Sequence, residues 1–240
     1  MEIPLHPDCR LIKADPSGLM AIEKAAGILS HPNKREDEGR SLLKGSYEIG
    51  HETYTVGDKH WYLLNRLDAP TSGLILMADN PELAQKVKDA FAGHSVSKTY
   101  LALVRGIPPR QQDSWRDCLK VVRQRGSLRT VVTLGRANAF CDMKLVERGA
   151  GPPARALISL HPKTGKTHQL RVQCASRHLA IIGDSTYGDY RFNREFKKKA
   201  GLDRLFLHSW KTSLQIEYQG RELKFSAECS PPEAFAIALQ

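Results

Sequence analysis

The run GLILMA, Gly73–Ala78, carries no polar side chain, so a strand formed there belongs in the buried part of a sheet. What precedes it is harder to accommodate. NRLDAPTSG, Asn65–Gly73, sets Arg66 and Asp68 two residues apart and then turns through Ala69, Pro70, Thr71, Ser72 and Gly73. An ionised carboxylate is expensive to desolvate unless it is paired or hydrogen-bonded. A chain that delivers Asp68 to the mouth of such a strand therefore has to supply it with a partner.

The rest of the chain reads mostly as strands. CRLIKADPSGLMAIEK predicts two strands around the turn Asp15-Pro16-Ser17-Gly18, followed by a bend at Gly27 and a loop at His31-Pro32-Asn33. HWYLLNRLD and GLILMAD predict strands flanking the Ala69–Gly73 turn. The clearest helix follows: Asn80 suits an N-cap, Pro81 the first helical position, Leu83, Val87 and Phe91 recur every fourth residue, and Gly93 ends it. SKTYLALVRG is another strand, with Lys98 and Tyr100 on one face because strand side chains alternate. The basic stretch to Arg136, with Arg123, Arg125, Arg129 and Arg136, reads as a mobile hairpin or lobe connector. ARALISLHP, AIIGD and LFLHSWKTSLQIEY read as strands, THQLRVQCASRH as a short helix, and PPEAFAIAL as a closing helix begun by its prolines. Many strands, few helices and no regular βα alternation give an α+β class with a mixed sheet.

With 240 residues, 41% of them hydrophobic, the chain can bury one substantial core or two modest lobes sharing a sheet. Thirty-six Lys and Arg against 26 Asp and Glu give a charge of +10, which favours a polyanionic partner, nucleic acid first. The lysine run Lys197–Lys199, near Arg191, Arg194 and Arg204, reads as a solvated surface or, beside a nucleic-acid cleft, as a phosphate grip. Five scattered cysteines without a CxxC pair argue against a disulfide framework or zinc ribbon and suit a reducing cytoplasm. Neither a signal peptide nor an apolar run of membrane-spanning length is visible.

Several familiar chemistries fail on spacing. TGKT, Thr164–Thr167, lacks the glycine of a phosphate-binding loop, since Leu160 stands there. Ser72 lacks the glycines of a nucleophile elbow, since Pro70 and Leu74 flank it. The nine histidines form no HExxH and show no regular ligand spacing, so no metal is expected.

Six segments, EKAAGILSHP, NRLDAPTSGLILMA, SKTYLALVRG, KTGKTHQLRVQ, GDSTYG and LFLHSWKTSL, appear in the order of the conserved blocks of RluA-type RNA pseudouridine synthases, and the chain resembles that family from about Asp15 to about Phe225. The most specific block is RLDxxTSG, Arg66–Gly73. One departure is visible, Asn65 where the family usually has His, and it implies altered hydrogen bonding rather than loss of activity. The resemblance implies a pseudouridine synthase catalytic-domain fold, a mixed, largely antiparallel sheet flanked by helices with a central cleft. It implies one such domain over residues 1–240, and the first block begins too early for a separate N-terminal RNA-binding domain.

The same resemblance implies an isomerase that needs no cofactor. Asp68 is its catalyst, acting as a covalent nucleophile or as a base that takes a sugar proton. Arg171 is the partner of that carboxylate, and an adjacent guanidinium favours the charged form. Tyr100 stacks on uracil, Arg66 helps occupy the space left by an extruded base, and Leu170 lines the pocket. The implied partner is a ribosomal or transfer RNA stem-loop, since sequence-selective RNA readers exploit loops and bulges. A cytoplasmic monomer is expected. The competing reading is a catalytically silent RNA-binding or RNA-chaperone member of the same fold.

Overall fold

A computed structural model describes residues 3–124 and 127–240. Along the chain run β1 (Arg10–Ala14), β2 (Leu19–Lys24), β3 (Ser46–Glu48), β4 (Thr53–Val56), β5 (Lys59–Leu63), β6 (Ser72–Ala78) and α1 (Pro81–Ala92). Then come β7 (Ser97–Arg105), β8 (Gln112–Gln124), β9 (Ser127–Thr133), β10 (Ala139–Arg148), β11 (Arg155–Pro162), α2 (Gln169–Ala175) and α3 (Tyr190–Ala200). β12 (Leu207–Tyr218), β13 (Arg221–Glu228) and α4 (Ala234–Leu239) complete the chain. The class is the expected α+β, with mostly antiparallel ladders and a parallel bridge between Leu29 and Ser41. The residues gather into two compact units, 1–97 with 209–230 and 98–208 with 231–240.

In the first unit β2 lies between β1 and β6, with Leu19 opposite Ala78 and Lys24 opposite Gly73. The turn between β1 and β2 closes where expected, Gly18 donating to the Asp15 carbonyl. On the other side β3, β4 and β5 form a meander that reaches β6 at Tyr62↔Ala78 and Leu63↔Met77. Every residue of β6 is buried. Alternate side chains, Leu74, Leu76 and Ala78, face a core shared with Leu83, Ala84, Val87 and Ala90 of α1 and with Leu214 and Phe225. Each fully buried Leu or Val there contributes about 1.5–3 kcal/mol. Helix α1 forms as its caps dictate: the Asn80 carboxamide oxygen accepts the Leu83 N–H at 2.9 Å, and Gly93 ends the helix.

In the second unit β7, β11, β10 and β8 are antiparallel neighbours in that order, and β9 folds back on β8. Of the two readings of the basic stretch, a hairpin or a lobe connector, the hairpin is present, paired from Cys118↔Thr133 to Gln124↔Ser127. Arg125 lies outside the described residues. Helix α2 packs on this hairpin, with Val172 in one buried cluster with Leu119 of β8 and Ala139 of β10. AIIGD is not the strand expected of it: it supplies one bridge, Ile181 to Val104, and then turns. The turn is enforced by Gly183, at φ +78°, where a Cβ would meet the Arg204 carbonyl oxygen at 1.7 Å. Helix α3 was not anticipated. It is capped by Asp189, which accepts the Phe192 N–H at 2.9 Å, and by Gly201 at φ +68°. No helix among the described residues is long and apolar enough to cross a membrane.

Candidate active site

The strand expected over HWYLLNRLD stops at Leu63. Main-chain pairing with β6 ends as Leu64 donates to the Leu76 carbonyl at 3.0 Å. The carboxamide of Asn65 then takes the place of a strand carbonyl, its Oδ1 accepting the Leu76 N–H at 2.7 Å. With that donor satisfied by a side chain, the backbone is released from the ladder and Arg66–Asp68 leave it as a loop.

The loop is then fastened on both sides of Asp68. The Ser30 hydroxyl donates to the Leu67 carbonyl at 2.7 Å and accepts the Leu67 N–H at 3.0 Å, while the Ser30 carbonyl accepts the Tyr54 hydroxyl at 2.8 Å. On the other side the Ala69 carbonyl accepts from the Gly27 N–H at 2.8 Å and from Lys24 Nζ at 3.0 Å. Lys24 is fully buried and also donates to the carbonyls of Ala25 and Ile28, at 2.9 and 2.7 Å. Its position at the end of β2, opposite Gly73, is what brings it to this turn. The turn closes with the Thr71 N–H on the Asp68 carbonyl at 3.0 Å. Gly73 is required where β6 begins: its φ is +109°, and a Cβ would sit 2.6 Å from the Ser209 nitrogen. Arg66 is exposed, with its guanidinium 3.9 Å from Glu52, which Lys88 contacts at 2.9 Å.

Three of the five residues singled out in the sequence lie in the second unit. Tyr100 is half-buried on β7, opposite Leu160 of β11. Leu170 and Arg171 are buried in α2. The loop entering that helix is organised by Gln169, whose Oε1 accepts from the Thr164 hydroxyl and the Lys166 N–H and whose Nε2 donates to the Phe140 carbonyl. His168 holds the left-handed conformation at φ +53° that turns the chain into α2.

Arg171 is 4% exposed and forms a fork with Asp184, itself 1% exposed: Nε and Nη2 donate to the two carboxylate oxygens, each at 2.8 Å. Asp184 also accepts the N–H groups of Thr186 and Tyr187 at 2.8 and 3.0 Å. Burial pushes the Asp184 pKa upward, but the guanidinium and the two amides outweigh it and hold the carboxyl below its ordinary value. The Arg171 guanidinium also lies 5.3 Å from the Tyr187 ring centre, and the Tyr187 hydroxyl bonds the His168 ring at 2.9 Å and accepts the Thr130 N–H at 3.0 Å. Arg129, one of the arginines of the basic hairpin, donates to the Thr186 carbonyl at 2.7 Å.

Of the residues singled out in the sequence, Arg66 and Asp68 share one loop, Leu170 and Arg171 share one helix, and Tyr100 stands on β7. Lys24, Ser30, Asp184 and Tyr187, which support the loop and the helix, carry no individual signature in the sequence. Their only signal was membership in the quoted blocks EKAAGILSHP and GDSTYG.

The family model for RNA pseudouridylate synthase matches residues 18–176. The tRNA pseudouridine synthase C of Vibrio cholerae serotype O1 is 31% identical over 220 residues, covering 87% of this chain and 86% of the relative. That of Haemophilus ducreyi is 34% identical over 203 residues, covering 80% and 79%. Among solved structures, human RNA pseudouridylate synthase domain containing 1 superposes with a TM-score of 0.70 at 20% identity, covering 97% of this chain and 87% of its own. Human RNA pseudouridylate synthase domain containing 4 gives 0.67 at 23%, covering 95% and 91%, and both speak for the fold. Matched by its family model over well more than half its length, and by relatives above 30% identity, the chain belongs to the RluA-type RNA pseudouridylate synthases.

Proposed function

We propose that this pseudouridine synthase isomerises a uridine of transfer RNA and that Asp68 is its catalyst. The observation that carries the assignment is the double fastening of the Asp68 loop, at Leu67 by Ser30 and at Ala69 by Lys24 and the Gly27 N–H. A surface carboxylate needs no such support, whereas a catalytic one has to be held to within a fraction of an ångström of its reacting atom. The transfer RNA substrate is taken from the relatives' names, both of which are tRNA pseudouridine synthases.

In the reaction the C1′–N1 glycosidic bond breaks, the uracil turns, a C1′–C5 bond forms, the C5 proton leaves to solvent, and N1 takes up a proton in its place. Two routes use a carboxylate here: attack on the sugar carbon, or removal of a sugar proton. Arg171 is assigned to the Asp68 carboxylate, and its fork with Asp184 supports this by setting the guanidinium plane before substrate arrives. Tyr100 is assigned to stack on the uracil, Arg66 to fill the gap left by the everted nucleotide, and Leu170 to line the slot. The motif blocks fall in both compact units, RLDAPTSG in the first and KTHQLR with GDSTYG in the second, which supports reading residues 1–240 as one catalytic domain.

The test is tritium release from transfer RNA labelled at uracil C5, with pseudouridine mapped in RNA from cells with and without the protein. Release by the wild type, none by Asp68→Asn, and a missing pseudouridine in transfer RNA of the depleted cells are expected. Release undiminished in Asp68→Asn overturns the catalyst, a missing pseudouridine in ribosomal RNA alone overturns the substrate, and RNA binding with no pseudouridine in any RNA favours the silent binding member.

A further inference from the structure

Helix α3 plays no part in the assignments above, yet its surface is strongly basic. Its eleven residues, YRFNREFKKKA, carry five cations and one acid. Phe192 and Phe196, four apart, are half-buried and stack on each other at 6.1 Å, and Phe196 meets Phe206 edge-on at 5.8 Å. Arg191, Arg194 and Lys198, at i, i+3 and i+7, share the opposite face and are exposed. Glu195 pairs with Arg191 at 3.2 Å and Asp203 pairs with Lys197. Among the described residues no carboxylate lies within ion-pair distance of Arg194, Lys198 or Lys199.

At the head of the same helix stands Tyr190, 79% exposed, with the Arg194 guanidinium 6.0 Å from its ring centre. Lysines at a helix C-terminus are explained in part by the helix dipole. Neither an exposed tyrosine in the first turn nor an arginine beside it is explained that way.

We propose that α3 is an RNA-docking surface of this enzyme, with Arg194, Lys198 and Lys199 taking backbone phosphates and Tyr190 offering its ring to a nucleotide base outside the reacting one. Cations interspersed with an exposed aromatic are what a phosphodiester chain with splayed bases recognises. An anionic membrane is the poorer fit, because a membrane-lying helix presents its apolar face outward, and here the phenylalanines of α3 pack inward on Phe206. The inference rests on RNA being the substrate of the family and does not depend on which RNA is modified.

The test uses the full-length enzyme and total RNA, tritiated at uracil C5, from cells lacking it. With Arg194→Gln, Lys198→Gln and Lys199→Gln combined, three lost phosphate contacts at about 0.7 each predict that the slope of log affinity against log salt falls by about two. Apparent KM should rise by an order of magnitude or more while kcat at saturating RNA stays at the wild-type value. Tyr190→Ala should weaken binding by about fivefold or more, and Tyr190→Phe should restore it. All four side chains are exposed, and an unchanged melting temperature verifies folding. An unchanged salt slope and KM in the triple variant overturns the proposal, as does a triple variant that loses binding to anionic phospholipid vesicles and keeps its affinity for RNA. Because kcat is the control, failure of the proposed isomerase activity would show separately, as absent release by the wild type, and failure of the Asp68 assignment as full release by Asp68→Asn.

Discussion

The Asp68 loop and the Arg171 helix are both held rigidly, by opposite means. The loop that bears Asp68 is fastened through main-chain atoms: Ser30 on Leu67, Lys24 and Gly27 on Ala69, Thr71 on the Asp68 carbonyl. Around Arg171 the restraint is side chain on side chain, a buried guanidinium answered by a buried carboxylate. Main-chain clamps set where a carboxylate points without neutralising it, so their loss disturbs reactivity before stability. A buried ion pair contributes little over an apolar pair of the same shape, yet removing one partner strands the other charge. Its loss should therefore register first in folding.

The largest effect should come from Asp68→Asn, a change that keeps shape and removes charge. Tritium release is expected to fall by about three orders of magnitude or more, with the thermal midpoint unmoved. If the midpoint dropped as far as the rate, the loop would be structural and the contrast would fail. Next comes Asp184→Asn, which removes the charge that answers the buried Arg171 fork and should cost about 3–5 kcal/mol in urea titration.

The same pair sharpens the contrast through pH. The native Asp184 carboxyl has its pKa below the ordinary value near which it titrates when unfolded. In that interval the unfolded chain binds more protons, so stability rises with pH. The contribution is complete above the ordinary carboxylate pKa and is lost as pH falls through the lower native value. Wild-type melting temperature should accordingly fall below about pH 4, and the Asp184→Asn profile should be flatter there.

Ser30→Ala removes one hydroxyl that serves both polar groups of Leu67. A loss of about 1–3 kcal/mol is expected, together with a fall in kcat larger than the rise in KM, measured in single-turnover and steady-state assays. The smallest effect should be Asn65→Ala, which orphans the Leu76 N–H at a cost of about 1 kcal/mol. Asn65→His, the family's usual residue, should recover part of it, because an imidazole nitrogen can also accept that proton.

Much of this architecture was legible in the residues. Periodicity and capping marked α1 to within a residue, because Asn80, Pro81 and Gly93 act locally. The turn glycines and apolar runs marked β1, β2, β6 and β7 for the same reason. The exit of the chain after Leu63 was not legible, since a strand pattern continues through HWYLL and the interruption comes from Asn65 reaching a residue eleven positions away. Helix α3 was masked by its own composition: two phenylalanines are a thin apolar stripe, and the lysine run reads as a solvated surface.

By itself the sequence determined the family, because the order of RLDAPTSG, KTY, THQLR and GDSTYG is a property of the chain. Only the tertiary structure decided what holds those blocks. Lys24 reaches Ala69 across 45 positions and Ser30 reaches Leu67 across 37, while Asp184 closes on Arg171 from outside the helix that bears it. Contacts between such separated residues depend on the register of β2 on β6 and on the turn at Gly183, and the geometry of neither is a local property of the residues that meet there.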